Sequence, residues 1–503
     1  MIASTPRDCS EHRARQLLLL VIALGTLLRF WELGTESLWF DEAYSVWVAR
    51  HDLSWQFALA TERIFPLLYY VVLHFWLRLG SSEFAIRFLS VLLGIGSIAA
   101  LYPLARDLFD RRTALLSALL LAVSPLHVWF SQEARMYILV GTLGVLSAYS
   151  LRLALRNVCA DPSSSPHGRR LWFWAGYIVS TALAVNAHYF ALFLLPFHNL
   201  IVLYTLIRNR VRRGIWWEWV ACQILVGVLC LVGLAGVFSD ESRYWWGLLE
   251  TLHGAPTLLD LLRLVFSFSL GTTVQNELFF WCGLLVFGFC ALWALLHVRD
   301  GRLHLGLDDG LLFTLLYLLV PLGTVFVYSQ VKSSWVLRYL FPFLPPYCIL
   351  LARGLLNLPD RRSRFLLAAA LLVLTLWPLA NMYRFQQKED WRNAAAYVSS
   401  LEQPDDVLLM VDEDIWLPFD HYYQGSMYHL GVSRAITDRD LLTARVGLAA
   451  KSYRRVWLLL SHTNNILLKE IVQQYPGIQP VEERHFLNVE VDLFMIDANG
   501  GGS

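Results

Sequence analysis

Charge is what this chain has least of. Asp, Glu, Lys and Arg make up 16% of its 503 residues and apolar residues 56%, whereas a soluble domain of ordinary composition carries roughly a quarter charged residues. So little charge cannot cover so much apolar surface in water. The solvent must be lipid and the chain an integral membrane protein, as the mean hydropathy of +0.48 also indicates. Neither sign dominates, since 41 Lys and Arg face 40 Asp and Glu. That balance excludes a strongly basic nucleic-acid binder and an acidic disordered chain. Cysteine is scarce too. The seven fall in segments expected to be cytoplasmic (Cys9, Cys159) or in apolar runs (Cys222, Cys230, Cys282, Cys290, Cys348), so no outer disulfide framework is predicted. Metal-ligand spacing of Cys and His, a Walker or dinucleotide fingerprint, and an internal repeat are all missing.

What is present in excess is apolar run length. Crossing about 30 Å of hydrocarbon takes roughly 20 helical residues. Eleven runs near that length are placed, at 17–33, 88–105, 113–130, 136–154, 171–190, 191–207, 217–238, 278–297, 310–328, 337–354 and 364–381. Barrel strands are far shorter, so the spans are helices. With the N-terminus inside, twenty arginines fall on cytoplasmic segments, in groups beginning at Arg7, Arg106, Arg152, Arg208, Arg299 and Arg353. Nine cations (Arg50, Arg63, Arg78, Arg87, Arg135, Arg243, Arg263, Lys332, Arg338) are spread over longer outer loops. The positive-inside rule therefore predicts N-in, C-out. The first run has no small-residue cleavage site and is followed by Phe30, Trp31 and Glu32, so it reads as an anchor and not a signal peptide.

From about residue 382 the composition becomes that of a soluble domain. Helices are expected at 390–401 and 464–474 and strands at 406–411, 455–461 and 489–496, which predicts a small extracytoplasmic α/β domain over 382–498. Residues 499–503 read as a linker or tag remnant. Residues 1–381 form the membrane module, and its first outer loop, 31–87, is too long for a simple connection. Segments at 42–49 and 66–77 are amphipathic and aromatic, as interfacial helices are.

Within that loop Leu38-Trp39-Phe40-Asp41-Glu42-Ala43-Tyr44 places two carboxylates directly after aromatic residues. A carboxylate at the edge of a low-dielectric site is suited to accept a proton as a general base. The plainer reading is a helix start, where acids favour the macrodipole. Three more outer clusters follow: Ser131-Gln132-Glu133-Ala134-Arg135-Met136-Tyr137, Asn186-Ala187-His188-Tyr189, and Ser333-Ser334-Trp335-Val336-Leu337-Arg338-Tyr339 before Pro342, Pro345 and Pro346. Interfacial anchoring explains isolated Tyr or His residues. A short outer turn seldom needs both a carboxylate and a guanidinium, so the clusters read together as one site. The twenty Trp exceed what two interfacial belts require, and stacking on sugars is one use for the excess.

Four stretches resemble bacterial GT-C glycosyltransferases: Trp39 to Ala43, Phe65 to Tyr70 with Leu73 to Trp76, Ser124 to Tyr137, and Arg338 to Leu340 with its prolines. More narrowly, the chain is similar to the branch of protein O-mannosyltransferases and the lipid A aminoarabinose transferase, over about residues 15 to 355. The resemblance implies a GT-C membrane fold and transfer of one sugar, with inversion, from a polyprenyl-phosphate donor on the extracytoplasmic face of the inner membrane. It makes Asp41 the general base and Glu42 its partner in the motif. The family often has a cation before a Pro-Pro pair; here the order is Arg63-Ile64-Phe65-Pro66, which leaves Arg63 as the candidate phosphate ligand. Arg135 and Arg338 are the other candidates for the phosphate, and Trp39, Tyr44, Glu133, Tyr137, His188, Tyr189 and Tyr339 for the rest of the substrate. No cofactor is required, although some relatives bind a divalent cation, for which Asp41 and Glu133 would be the ligands. The acceptor is a lipid, glycan or protein. An oligosaccharyltransferase of the same superfamily is one alternative. A secondary transporter is another, but it would place its ionisable groups near the midplane.

Overall fold

The computed structural model describes residues 6–62, 67–159, 167–234, 254–274, 276–299, 302–411, 415–432, 439–461 and 466–497. The chain divides into two compact units. One comprises Met1–Leu33, His51–Gly80 and Ala85–Arg384, and the other Gly34–Arg50, Ser81–Phe84 and Phe385–Ser503. The helix that carries Asp41 thus belongs with the C-terminal segment, as do residues 81–84, and not with residues 51–80 of the first outer loop.

The early helices are α1 (Pro6–Phe30), α2 (Phe40–Arg50), α3 (Leu53–Glu62), α4 (Leu67–Trp76), α5 (Glu83–Leu108), α6 (Arg111–Val123), α7 (Pro125–Ser131), α8 (Tyr137–Cys159), α9 (His167–Ala187), α10 (Leu194–Arg208) and α11 (Arg213–Leu234). Later helices of the same unit cover Leu258–Leu270, Glu277–Trp293, Asp309–Ser329, Leu344–Asn357 and Arg361–Arg384. A short antiparallel hairpin, β1 (Leu296–Arg299) and β2 (Arg302–Leu305), lies between them. Among the described residues seven helices are long and apolar enough to cross a membrane, or eight if the bent pair α6 and α7 is one span. The protein is a multi-pass membrane protein, and among the described residues each of the eleven expected runs lies mainly on helix, although 278–297 ends in β1; the count of eleven crossings is not reached by length and hydropathy.

One expected span needs correction. The run 113–130 is not a continuous rod, because α6 and α7 meet at 61°. Pro125 stands at the first position of α7, and Ser124 before it is extended (φ −60°, ψ 120°) and caps the new helix through its hydroxyl. A proline disfavours helical backbone in the residue before it and is well tolerated at a helix start. Apolar composition alone does not reveal that break.

Close approach in this unit is bought by glycine. A Cβ on Gly354 would sit 1.8 Å from the Cys290 carbonyl oxygen, one on Gly310 2.2 Å from that of Leu108, and one on Gly94 2.3 Å from Ser131 Oγ. Packing of backbones at small residues is the usual way helices associate where lipid supplies no hydrophobic drive. At the arginine-rich ends, ion pairs join neighbouring helices: Arg152 with Asp107 at 2.8 Å, Arg170 with Glu218 at 2.8 Å, and Arg353 with Asp308 at 2.9 Å.

The second unit is built on a five-stranded sheet of β3 (Asp406–Val411), β4 (Tyr428–Val432), β5 (Arg455–Ser461), β6 (Ile478–Phe486) and β7 (Val489–Ile496), in the order β4-β3-β5-β7-β6. β3 runs parallel to β4 and β5, and β7 runs antiparallel to β5 and β6. Strand period 2 sorts the side chains to the two faces. Val407, Leu409, Val456, Leu458 and Leu460 pack with helices Arg439–Ser452 and Ile466–Gln474. Leu408, Met410, Trp457 and Leu459 pack with helices Trp391–Leu401 and Trp416–Tyr422. The expected α/β domain is therefore a three-layer sheet domain, with two edge strands that the sequence pattern does not announce. β6 alternates poorly, is mostly exposed and contains Pro480, features that keep an edge from pairing further.

A buried ion pair locks the central strands. Arg455 donates to both carboxylate oxygens of Asp406, at 2.8 and 2.6 Å, and to the Leu401 carbonyl; the Trp457 indole N–H adds a bond to the same carboxylate at 2.9 Å. Removing one partner of a buried pair leaves an uncompensated charge. Arg455→Ala should therefore cost about 3–5 kcal/mol of unit stability, read as lost amide-exchange protection in β3 and β5, and a cost below about 1 kcal/mol would show that the pair is not structural.

A second test concerns pH. Burial, reinforced by the charge of Arg50 and opposed by Glu83, holds the His421 imidazole down to about 4. The unfolded ring titrates near ~6.5, so the neutral ring's contribution to stability is complete above that value and is lost as pH falls through about 4. Exchange protection of the Trp416–Tyr422 helix should decline over that window in the native protein and less so in His421→Gln. Parallel profiles would refute the assignment.

Candidate active site

In the membrane unit the site is laid on a buried guanidinium. Arg29, on the last turn of α1, is fully buried. Its Nη1 donates to the Gly25 and Ala122 carbonyls at 2.7 and 3.0 Å, its Nε to Ser131 Oγ at 3.0 Å, and its Nη2 lies 2.6 Å from His127 Nδ1. Because a guanidinium only donates, Nδ1 is the acceptor and the His127 proton resides on Nε2. Gly94 permits this closeness, since a Cβ there would meet both Ser131 and the Arg29 Nε. Gln132 then donates to the Arg29 and Trp31 carbonyls at 3.1 and 2.8 Å, taking up acceptors that the end of α1 leaves over. These bonds hold the break between α7 and α8 in place. That break is where the predicted Glu133, Arg135 and Tyr137 lie.

The chain turns sharply there, with the Arg135 N–H donating to the Glu133 carbonyl at 2.8 Å. Glu133 is buried and Arg135 half-buried. Arg135 Nη1 donates to the hydroxyl of the buried Tyr70 at 3.3 Å, and its guanidinium carbon lies 5.8 Å from the Tyr137 ring. Arg338 makes the same contact with the Tyr339 ring at 5.6 Å. The Tyr137 and Tyr339 rings are 6.3 Å apart, and His188 lies 6.0 Å from the first and 4.9 Å from the second. Tyr189 stacks on His188 at 4.7 Å, and Phe190 lies 4.7 Å from Tyr339. His188 is held by its role as cap of the short 3-10 turn Tyr189–Phe193, its Nδ1 accepting the Phe190 N–H at 3.2 Å.

Three segments separated by as many as two hundred residues thus bring Arg135, Tyr137, His188, Tyr189, Arg338 and Tyr339 into one aromatic group with two guanidiniums. Such a surface suits an anion attached to a ring or chain, since guanidinium forks bind phosphate and carboxylate oxygens. Tyr70 joins the group through Arg135. The sequence reading missed Tyr70 as a contact, gave His127 no role although it lies in the Ser124–Tyr137 stretch, and did not single out Arg29. For Arg29 a signal existed: an arginine inside an apolar run is costly in lipid unless its donors are satisfied.

The other predicted residues fall in the second unit or outside the described part. Arg63 lies outside the described residues. At the start of α2 the half-buried Asp41 is followed by a fully buried Glu42, whose carboxylate pairs with Lys388 Nζ at 3.1 Å. Of the two adjacent acids, Asp41 is the more accessible. Tyr44 and Trp47 are ring neighbours at 5.9 Å, and Trp47 meets Trp416 edge-on at 6.2 Å; Trp39 is half-buried. Among the described residues, the grouping of three potential metal ligands with atoms within 4.8 Å of one another is Glu483, His485 and Glu490 on the sheet hairpin. It includes neither Asp41 nor Glu133. Lys469 already pairs there with Glu483 at 2.8 Å and with Glu490.

A family model described as dolichyl-phosphate-mannose-protein mannosyltransferase matches residues 65–238. The structure is similar to that of ArnT from Cupriavidus metallidurans in the apo state, with a TM-score of 0.62, 15% identity, and coverage of 96% of this chain and 98% of that one. The chain has the GT-C fold. ArnT bound to undecaprenyl phosphate is similar at a TM-score of 0.58 and 14% identity, covering 96% and 99% of the two chains. The oligosaccharyltransferase AglB from Archaeoglobus fulgidus, in complex with an inhibitory peptide and a dolichol-phosphate, is similar at 0.57 and 10%, covering 95% and 74%. A search of curated proteins finds no match. The GT-C resemblance drawn from the sequence therefore holds, for the fold and for the matched segment.

The buried polar knot under the site is open to test. Arg29→Lys keeps the charge but cannot span His127, Ser131 and the Ala122 carbonyl together, since a compact ammonium replaces a planar fork. Thermal unfolding of the detergent-solubilised protein should show a loss of about 2–3 kcal/mol; an unchanged midpoint would mean the knot does not hold α1 to α7.

Proposed function

We propose that this chain is a membrane glycosyltransferase of the GT-C type that moves a single sugar from a polyprenyl-phosphate donor to an acceptor hydroxyl. The transfer takes place on the extracytoplasmic face of the inner membrane, with inversion at the sugar carbon. The observation that carries this reading is the pairing of Arg135 and Arg338 over Tyr137 and Tyr339, in a protein whose fold neighbours were solved with undecaprenyl phosphate and dolichol-phosphate. A nucleotide-sugar enzyme would need a nucleotide cleft. A lipid-phosphate donor needs only cations for its phosphate and a face for its sugar.

The chemistry follows from these groups. A hydroxyl is a poor nucleophile until a base within hydrogen-bond reach removes its proton, and Asp41 is assigned that task. As the new C–O bond forms, the bond from the sugar carbon to the phosphate oxygen breaks and its electron pair leaves with the phosphate. Positive charge builds on the ring as in other glycosyl transfer, and one direct displacement needs one base and no covalent intermediate. Arg135 and Arg338 stabilise the charge growing on the departing phosphate. Tyr137, His188, Tyr189 and Tyr339 supply flat faces and hydroxyl donors for sugar and phosphate. Glu42, buried against Lys388, contributes position and not proton transfer.

Transfer from synthetic undecaprenyl-phosphate sugars by purified protein is the assay. Asp41→Asn should keep the fold and lose roughly 10²–10⁴-fold in rate, and near-normal turnover would remove Asp41 as base. Arg135→Ala and Arg338→Ala should each lose about 10²–10³-fold and weaken undecaprenyl-phosphate binding. Solute counter-flow in proteoliposomes without covalent product would favour a transporter instead.

A further inference from the structure

The helix that carries Asp41 begins after a tryptophan. Trp39 stands at its start, and the Glu42 and Ala43 N–H groups both turn back to the Trp39 carbonyl at 3.0 Å. A tryptophan side chain cannot accept the remaining N–H groups of a first turn, a task that Ser, Thr, Asp or Asn usually performs. One acceptor comes from the C-terminal segment. Glu389 Oε2 lies 3.3 Å from the Phe40 N–H, across 349 residues of sequence.

Around that contact Gln387, Lys388, Glu389 and Arg392 bind the approach to α2. The Gln387 N–H donates to the Glu36 carboxylate at 2.6 Å, the Ser37 hydroxyl donates to the Glu389 carbonyl, and Arg392 donates to the Thr35 carbonyl at 3.0 Å. Lys388 pairs with the fully buried Glu42 at 3.1 Å, its own side chain only 10% exposed. Tyr422 adds a hydroxyl that accepts the Leu38 N–H at 2.7 Å. The segment itself is anchored in the sheet. Trp391, fully buried, packs with Leu408, Trp457 and Leu459 and donates its indole N–H to Glu389, while the Asp390 N–H donates to the Leu487 carbonyl at 3.1 Å.

We propose that Lys388 and Glu389 are positioning residues for Asp41, and that the sheet domain serves to set the catalytic base. The residue before Asp41 is held by Glu389 and the residue after it by Lys388, so the backbone of Asp41 is fixed on both sides. A base must be held within about 0.5 Å of its productive place to act, and a sheet core does this better than an interfacial loop. The inference rests on the role proposed above for Asp41.

Lys388→Met, Lys388→Arg, Glu389→Gln and Asp41→Asn in the full-length protein separate the outcomes. Lys388→Met and Glu389→Gln should lower kcat about 10–100-fold with the donor KM and undecaprenyl-phosphate binding unchanged. Lys388→Arg should restore most of the rate. Amide exchange over residues 40–46 should quicken in both impaired variants while β3 and β5 keep their protection, which shows that the sheet remains folded; Glu389→Gln, nearly isosteric, is the safer of the two. Unchanged kcat in both variants, or a fall in donor affinity equal to the fall in rate, would overturn the inference while Asp41→Asn is inactive. If instead Asp41→Asn turns over normally, the base assignment fails, and the exchange data still decide whether Lys388 and Glu389 hold α2.

Discussion

A charge removed from water must have each of its donors or acceptors satisfied, and in the membrane unit that requirement falls hardest on Arg29. Its guanidinium draws the Ala122 carbonyl of α6, the Ser131 hydroxyl and the His127 ring of α7 onto α1. Breaking any of these contacts would strand a donor in a medium where each lost bond to a charged group costs about 1.5–3 kcal/mol. The bend between α6 and α7, which looks like a defect in a spanning helix, is thereby a fixed joint. Glu133 and Arg135 leave from that joint, so their placement depends on a residue that contacts no candidate ligand group.

What could be read from the sequence divides along the range of the interaction concerned. Apolar runs report local burial, and they placed the spanning helices; the short apolar runs at 406–411 and 455–461 placed the centre of the sheet. The edge strands β4 and β6 were illegible for the same reason that they are edges. Tyr428–Val432 is five residues with a glycine, and Ile478–Phe486 carries a proline and four charged or imidazole side chains, so neither shows the apolar pattern that marks a buried strand. The polar clusters at 131–137, 188–189 and 338–339 were legible as clusters because polar residues are rare at that depth. Their aromatic contacts were not, since a ring at 188 carries no mark of the ring it meets at 339. Lys388 shows the same limit: it is an unremarkable cation in sequence and becomes informative only when its partners are known.

The two carboxylates of the first-loop motif show how burial separates neighbours of identical chemistry. Successive helical residues point about 100° apart, so Asp41 and Glu42 cannot share an environment. Glu42 faces inward, fully buried against Lys388, and is spent on structure. Asp41, one position earlier, is only half-buried. A dipeptide that reads as a pair of equivalent acids is in the folded protein one anchor and one candidate base.

The pairing of α2 with the C-terminal segment also changes what counts as a domain here. Residues 34–50 and 385–497 fold together, although most of the membrane unit lies between them in sequence. A helix of eleven residues is marginal alone in water and gains stability mainly from what it packs on. For α2 that support includes the helix Trp416–Tyr422, the Lys388 ion pair and the Glu389 carboxylate. A cap taken from the other end of the chain makes the order of α2 conditional on a folded sheet domain. The helix on which Asp41 stands therefore draws its support from the sheet unit.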